Sequence, residues 1–301
     1  MKAVQSALND HAQNLERRRK RRLPFRRHRR AAERISALGV EVDLVRPEEV
    51  MHHIAEAVAS DRATLIANHN AHSIYLTKRI PELGEFFERA DLIEVDSTPL
   101  IFFTRVLGLH SRAFHRCTYL DWRDHFWSVA SRNSWRVFYL GGAPGVAALA
   151  AERLSARYPG VAISTRDGFF DMDSSANDQV LAEIATACPQ ILFVGMGMPR
   201  QELWIHRNRD LLPPMAVLSV GAAFDYEADV QCPAPRWMGI VGIEWLFRLA
   251  GDPHRLFYRY CVEPWSLLLP AAQDIAAALI DRRLLRDTAG NRKAAADKCG
   301  A

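Results

Sequence analysis

The chain has 301 residues, of which 49% are hydrophobic and 25% charged, and its formal net charge is +4. That is enough apolar material for one enzyme-sized core, and five widely spaced cysteines with no C-x-x-C argue against a disulfide framework or a cysteine zinc site and for a reducing cytoplasm. No apolar run reaches bilayer length, and no apolar signal-peptide core follows the basic N-terminus, so neither a spanning segment nor secretion is expected.

The first feature along the chain is an arm, assigned to residues 1–35. Arg17 to Arg22 and Arg26, Arg27, Arg29 and Arg30 place ten positive charges within residues 17–30, and the rest of the chain is net acidic. Such a run repels itself and reads as flexible. Leu23 and Phe25 suit shallow insertion at an anionic membrane surface, where each basic residue contributes about 1 kcal/mol. No nucleic-acid-reading fold accompanies the arm, so nucleic acid is not an expected partner, and a basic-arm nucleic-acid-binding protein stands only as an alternative reading.

Strands and helices then alternate. Thr64–Ala67, Leu92–Val95, Val137–Leu140, Val161–Thr165, Ile191–Val194 and Val217–Val220 read as strands. Helical patterns fall near 72–88, 97–107, 119–132, 144–157, 175–187 and 200–209. Alternation of this kind predicts an α/β, Rossmann-like fold with a mostly parallel sheet and helices on both faces, here over 36–225. After Asp225 the pattern becomes Arg- and Trp-rich and helical. Residues 226–262 are expected to close over the site as an appendage, with an amphipathic helix and a loose tail in 263–301. Trp237, Trp245 and Phe247 are read as packing residues.

Open α/β sheets bind ligands at the carboxyl edge of their strands, so polar residues just past each strand are the site candidates. Asp96 is either a general base for an attacking hydroxyl or the cap of the next helix. Asp91, at the start of the same strand, belongs to the opposite edge. Asn70 can exchange hydrogen bonds with sugar hydroxyls or serve as a cap. His69 and His72 lack further ligands at metal-binding spacing, and Asp171-Met172-Asp173 reads as helix-start punctuation, so no metal site is expected. Gly141, Gly142 and Gly145 open a helix whose N–H groups suit a diphosphate or a uracil edge. This stretch is not G-x-G-x-x-G, which weakens the alternative of a nicotinamide oxidoreductase. Gly195 and Gly197 allow close ligand approach. Gln201, Glu202 and Asp225 are placed to hold ribose or sugar hydroxyls.

Taken in order, these pieces resemble one family. Asn70, Asp96, Tyr139-Leu140-Gly141-Gly142-Ala143-Pro144-Gly145, Arg166-Asp167-Gly168-Phe169-Phe170, Pro199-Arg200-Gln201-Glu202-Leu203-Trp204, Val217 to Asp225, Ala234-Pro235-Arg236-Trp237-Met238, Gly242 to Leu249 and Asp252 to Tyr260 are similar, over roughly residues 45–262, to the WecG/TagA/CpsF family of bacterial glycosyltransferases. The resemblance implies a metal-independent, inverting enzyme without a cofactor. It would move a sugar (N-acetylmannosamine-type, uronic acid or hexose) from a UDP-sugar to an undecaprenyl-diphosphate-linked saccharide. It also implies an envelope-glycan or exopolysaccharide pathway, a place on the cytoplasmic face of the inner membrane, and a homo-oligomer as an open option. Asp96 takes the role of base, with Asn70, Arg248 and Arg255 in the catalytic set. Arg236 and Arg259 join the substrate-binding set, as does Asn68, where the family usually has Thr. Ser97 and Tyr119 stand where it usually has Gly, and Cys232-Pro233 where it has Lys-Arg.

Overall fold

The computed structural model describes residues 34–109 and 111–280; the basic run 17–30 and the tail beyond 280 lie outside these residues. Two short strands, β1 (Arg34–Ala37) and β2 (Val40–Asp43), form an antiparallel hairpin. Six more build one sheet: β3 (Thr64–His69), β4 (Leu92–Val95), β5 (Arg136–Gly141), β6 (Ala162–Arg166), β7 (Ile191–Gly195) and β8 (Ala216–Ser219). Their order is β4-β3-β8-β7-β5-β6, and every pairing is parallel. The fold is α/β and Rossmann-like.

Successive side chains of a strand point to opposite faces, and both faces here are covered. Leu65, Ala67, Ile93, Val95, Leu140, Leu192, Val194 and Val217 enter one core, with the helices Ala71–Thr77, Pro81–Glu88, Thr98–Val106, Ser175–Ala187 and Arg200–Asn208 on that side. Ile66, Leu92, Val137, Tyr139, Ile191, Phe193 and Leu218 enter the other, under Pro47–Ala59, Tyr119–Arg132, Val146–Arg157 and Ala223–Glu227. Double coverage is why these strands read as unbroken apolar runs rather than alternating ones.

All six strands anticipated from sequence are present within a residue or two at each end. The pattern 72–88 is two helices, because Pro81 opens a second one at its first turn. The hairpin and the helix Pro47–Ala59 were not anticipated. The hairpin begins at Arg34, inside the segment read as arm. Arg34 grips the buried Asp43 with two hydrogen bonds, from Nε at 3.0 Å and Nη2 at 2.8 Å, and Asp43 in turn accepts from the Ile93 N–H at 2.8 Å. This fixes the hairpin beside β4.

Beyond β8 the chain is helical: Arg236–Val241, Glu244–Gly251, Pro253–Phe257 and, after tighter and wider turns, a helix whose described part covers 268–280. Asp274 on that last helix accepts from the Leu38 N–H at 2.6 Å, joining the end of the described chain to its beginning. Trp237, Trp245 and Phe247 are exposed, not packed as expected. The appendage is too thin to surround its own aromatic residues.

Candidate active site at the carboxyl edge of the sheet

Because every strand is parallel, one edge collects the residues following β3, β4, β5, β7 and β8. Asn70 and Asp96 occupy equivalent positions there, yet the structure gives them different work. Asn70 is the N-cap of Ala71–Thr77: its Oδ1 accepts from Ser73 N at 3.1 Å, while the Ser73 hydroxyl reaches back to the Asn70 N–H at 2.8 Å. The helix after β4 is instead capped by Ser97, whose Oγ accepts from Leu100 N at 3.4 Å. Asp96 anchors only its backbone, donating from N to His69 O at 2.9 Å. Its carboxylate accepts no hydrogen bond from the described residues and remains available for chemistry.

Asp96 sits among charges. Arg116 lies against the end of β4 through a Val95–Arg116 bridge. Glu244 holds two cations at once, accepting from Arg116 Nη2 at 2.6 Å and from Arg248 Nη2 at 2.5 Å. Burial pushes the Asp96 carboxyl up to about 6, against the pull of Arg116 and Arg248. A carboxylate so tuned is mostly ionised at neutral pH and still holds a proton well, which is what a general base needs. Beneath it, Glu94 is buried in β4, accepts from Trp122 Nε1 at 3.2 Å, and is pushed by burial to about 8. It therefore stays protonated when Asp96 ionises. Asp91 lies at the other edge, accepting from Leu65 N at 2.8 Å.

The floor of the cleft is backbone. A Cβ on Gly141 would come within 2.3 Å of Gly195 O, and one on Gly195 within 2.4 Å of Gly221 O, so the turns after β5, β7 and β8 touch directly. Gly145, at φ +83°, is the left-handed N-cap that opens Val146–Arg157, and Gly197 turns at φ +78°. Asp225 Oδ1 faces Gly142, 3.7 Å from where its Cβ would stand. Gln201 is used internally: its Oε1 accepts from Gly221 N at 3.2 Å and its Nε2 donates to Glu202 Oε1 at 2.7 Å. Glu202 is fully buried and pushed up by that burial to about 7, and its Oε2 has no partner among the described residues. Arg259 Nε is likewise buried without one. Unpaired buried polar atoms cost stability and mark positions a ligand can satisfy.

Comparison with known proteins adds a decisive observation. Residues 35–278 match the sequence model of the Glycosyl transferase WecG/TagA/CpsF family. The chain belongs to this family. It is also similar to two Staphylococcus aureus proteins, from strain MW2 and strain NCTC 8325 / PS 47, each named N-acetylglucosaminyldiphosphoundecaprenol N-acetyl-beta-D-mannosaminyltransferase. Each is 24% identical over 233 residues, covering 74% of this chain and 87% of the relative. The protein is a glycosyltransferase.

Within this glycosyltransferase, the residues singled out from sequence divide. Asp96, Arg248, Arg259 and Glu202 lie within electrostatic reach of one another in a chain. Gln201 ties Glu202 to Gly221, and Gly141, Gly142, Gly145, Gly197 and Asp225 lie at the same carboxyl edge of the sheet. Asn68 sits beneath it, with Nδ2 donating to Ser219 O at 2.8 Å to join β3 to β8. Arg255 is not brought in: its side chain is 74% exposed and Nε donates to Asp252 at 2.6 Å, within its own helix turn. Arg236 turns outward to pair with Asp121. His69 is buried against Phe87, 3.7 Å between ring centres, and burial holds it neutral at about 3. His72 pairs with Glu263 at 2.5 Å. Asp171 and Asp173 are exposed, Asp173 on Arg207. Among the described residues no three His, Cys, Asp or Glu side chains are grouped to hold a metal. Arg116, Glu244 and Glu94 were missed from sequence. Glu244 lies inside the Gly242 to Leu249 segment but was not singled out there, and only the register of β4 and the fold of the appendage bring the three to Asp96.

Proposed function

We propose that the enzyme transfers a sugar from a UDP-sugar to a hydroxyl of an undecaprenyl-diphosphate-linked saccharide, with inversion and without a metal. The observation that carries this reading is the uncapped Asp96 carboxylate, tuned to about 6 and set beside Arg116 and Arg248. Asp96 removes the proton of the acceptor hydroxyl as its oxygen attacks the anomeric carbon. The bond to UDP breaks on the opposite face, and the negative charge released on the diphosphate is met by Arg248, Arg259 and the N–H groups around Gly142 and Gly145. Glu202 Oε2 and Arg259 Nε, unpaired in the protein, are completed by donor hydroxyls and phosphate. The names of the two relatives suggest N-acetylmannosamine as donor sugar and an N-acetylglucosamine-bearing lipid as acceptor.

The place of action follows from the acceptor. No helix among the described residues is long and apolar enough to cross a membrane. Exposed Trp237, Trp245, Phe257, Trp265, Leu268 and Leu269 give the appendage an apolar outer surface, and the sequence supplies ten positive charges at 17–30. Two such signals hold a protein at an anionic bilayer.

A screen of UDP-sugars against an N-acetylglucosaminyl diphosphate lipid, following UDP release with and without chelator, tests the reading. Transfer that survives EDTA supports it. Complete loss with chelator, restored by Mg²⁺ or Mn²⁺, overturns metal independence and returns attention to Asp171 and Asp173.

A further inference from the structure

The short helix Ala223–Glu227 after β8 is pinned at both ends. Phe224 stacks flat on Tyr139, with ring centres 3.7 Å apart, and Glu227 accepts from the Tyr119 hydroxyl at 2.9 Å and from Arg123 Nη1 at 3.2 Å. These two tyrosines are satisfied, Tyr119 by Glu227 and Trp127 and Tyr139 by the carbonyls of Gly195 and Gly221. Between the pins stand Asp225, whose Oδ1 faces Gly142, and Tyr226. Tyr226 is half-buried, and its hydroxyl makes no hydrogen bond with the described residues. It lines a cavity of about 420 Å³, so protein does not seal it from a ligand.

That hydroxyl lies within electrostatic reach of Arg248, Asp96, Glu244 and Asp225. Arg248 has donors to spare. Among the described residues it makes one hydrogen bond, from Nη2 to Glu244 Oε1 at 2.5 Å, whereas a guanidinium carries five N–H groups. Two groups with unused donors therefore stand together beside the proposed base, an arrangement that suits an oxyanion. A phenol also does something there that another arginine would not. Burial raises it above its ordinary value of 10.0, so at neutral pH it donates without adding charge. A further cation would pull the Asp96 carboxyl below about 6 and weaken the base.

We propose that the Tyr226 hydroxyl donates a hydrogen bond to the β-phosphate of the sugar donor, alongside Arg248. The inference rests on the diphosphate donor proposed above and adds a residue to its recognition. When the bond from the anomeric carbon to the diphosphate oxygen breaks, the electron pair stays on that oxygen, and the acceptor's proton goes to Asp96. The phenol keeps its own proton throughout. Its hydrogen bond strengthens as charge gathers on the leaving group, so it contributes more in the transition state than in the bound donor.

The test compares the wild type with Y226F by titration calorimetry, using inorganic pyrophosphate, UDP and UMP. Pyrophosphate and UDP bind Y226F about tenfold more weakly, the scale of one hydrogen bond to a charged group, while UMP changes less than about twofold. Tm is unchanged, because the hydroxyl has no partner in the folded protein to lose. In turnover kcat falls and the acceptor KM does not move. Unaltered binding of pyrophosphate and UDP overturns the proposal. So does a UMP loss as large as the UDP loss, which places Tyr226 on the nucleoside, a lowered Tm, which gives the hydroxyl to the fold, or a raised acceptor KM with kcat intact. A wild type that binds pyrophosphate but not UDP counts against the proposed uridine donor alone, whereas one that binds neither overturns this inference as well.

Discussion

The sheet and the appendage solve opposite problems with the same kinds of residue. Beneath the helices of the sheet, Trp122, Trp127 and Trp204 are fully buried, and Tyr139 stacks flat on Phe224 with ring centres 3.7 Å apart. In the appendage Trp237 and Trp265 face outward. The sheet thus completes its own interior and supplies the proposed base, Asp96, and a floor of close-packed backbone. The appendage leaves its apolar side to be covered from outside and turns Arg248 and Arg259 toward Asp96. Stability and catalysis are therefore expected to separate by region, and four tests can break that separation or sharpen it.

The largest effect is expected at Asp96. D96N keeps size and shape but removes the base, and kcat should fall about 10²–10⁴-fold. Thermal stability should not drop with it, because Ser97, not Asp96, caps the following helix. Loss of activity accompanied by unfolding would show that Asp96 is structural after all.

Next comes a contrast between two arginines that look alike in sequence. R248A removes a cation held over the cleft by Glu244, and turnover should fall about 10²-fold or more. R255A removes an exposed side chain paired only within its own turn, a contact of the class contributing about 0–1 kcal/mol, and steady-state rates should change less than about twofold. Equal losses at both positions would mean that the appendage closes differently when donor binds.

The third effect is pH dependence. With the Asp96 carboxyl at about 6, kcat/KM should decline below pH 6, about tenfold per unit. Stability moves the other way. The folded protein holds this proton more tightly than the unfolded chain, whose carboxyl has the ordinary value of 3.8. Between those values the native state binds more protons, so stability falls as pH rises toward 6, and the penalty persists above it. Glu202, raised to about 7, adds the same sign over a window reaching higher pH. E202Q should therefore raise Tm at pH 8 relative to wild type and lose that advantage at pH 4. A Tm difference independent of pH would remove the buried-carboxylate explanation.

The smallest effect belongs to Ser97. S97A should cost about 1 kcal/mol of stability as a lost N-cap, read from denaturant unfolding, with activity retained on a per-folded-molecule basis.

The same contrast explains what could be read from sequence. The strands of the sheet were visible because burial on both faces demands unbroken apolar runs such as Ile191–Val194. The hairpin was not, because Arg34–Ala37 and Val40–Asp43 are four residues each and depend on a distant partnership of Asp43 with Ile93. Asn70 and Asp96 had identical signatures, a polar residue between strand and helix. Only the Ser97 hydroxyl decides which of them is left free. Arg248, Arg255 and Arg259 were equally plausible as a group. Sorting them required the position of Glu244, which bridges Arg116 and Arg248, and of Asp252, which keeps Arg255 at the surface.

The hydrogen bond from Leu38 to Asp274 spans 236 positions of sequence, and it bears on how the molecule is made. Closing so long a loop carries a high entropic cost, and ribosomes deliver the chain from its N-terminus at roughly 5–20 residues per second. The hairpin that emerges early must wait through synthesis of the whole sheet for the helix that seals it. Arg248 and Arg259 emerge in that same late stretch, so a nascent chain acquires these two cations shortly before Asp274 can reach Leu38. A polypeptide stalled before Asp274 lacks this clasp, and its N-terminal hairpin waits unsealed.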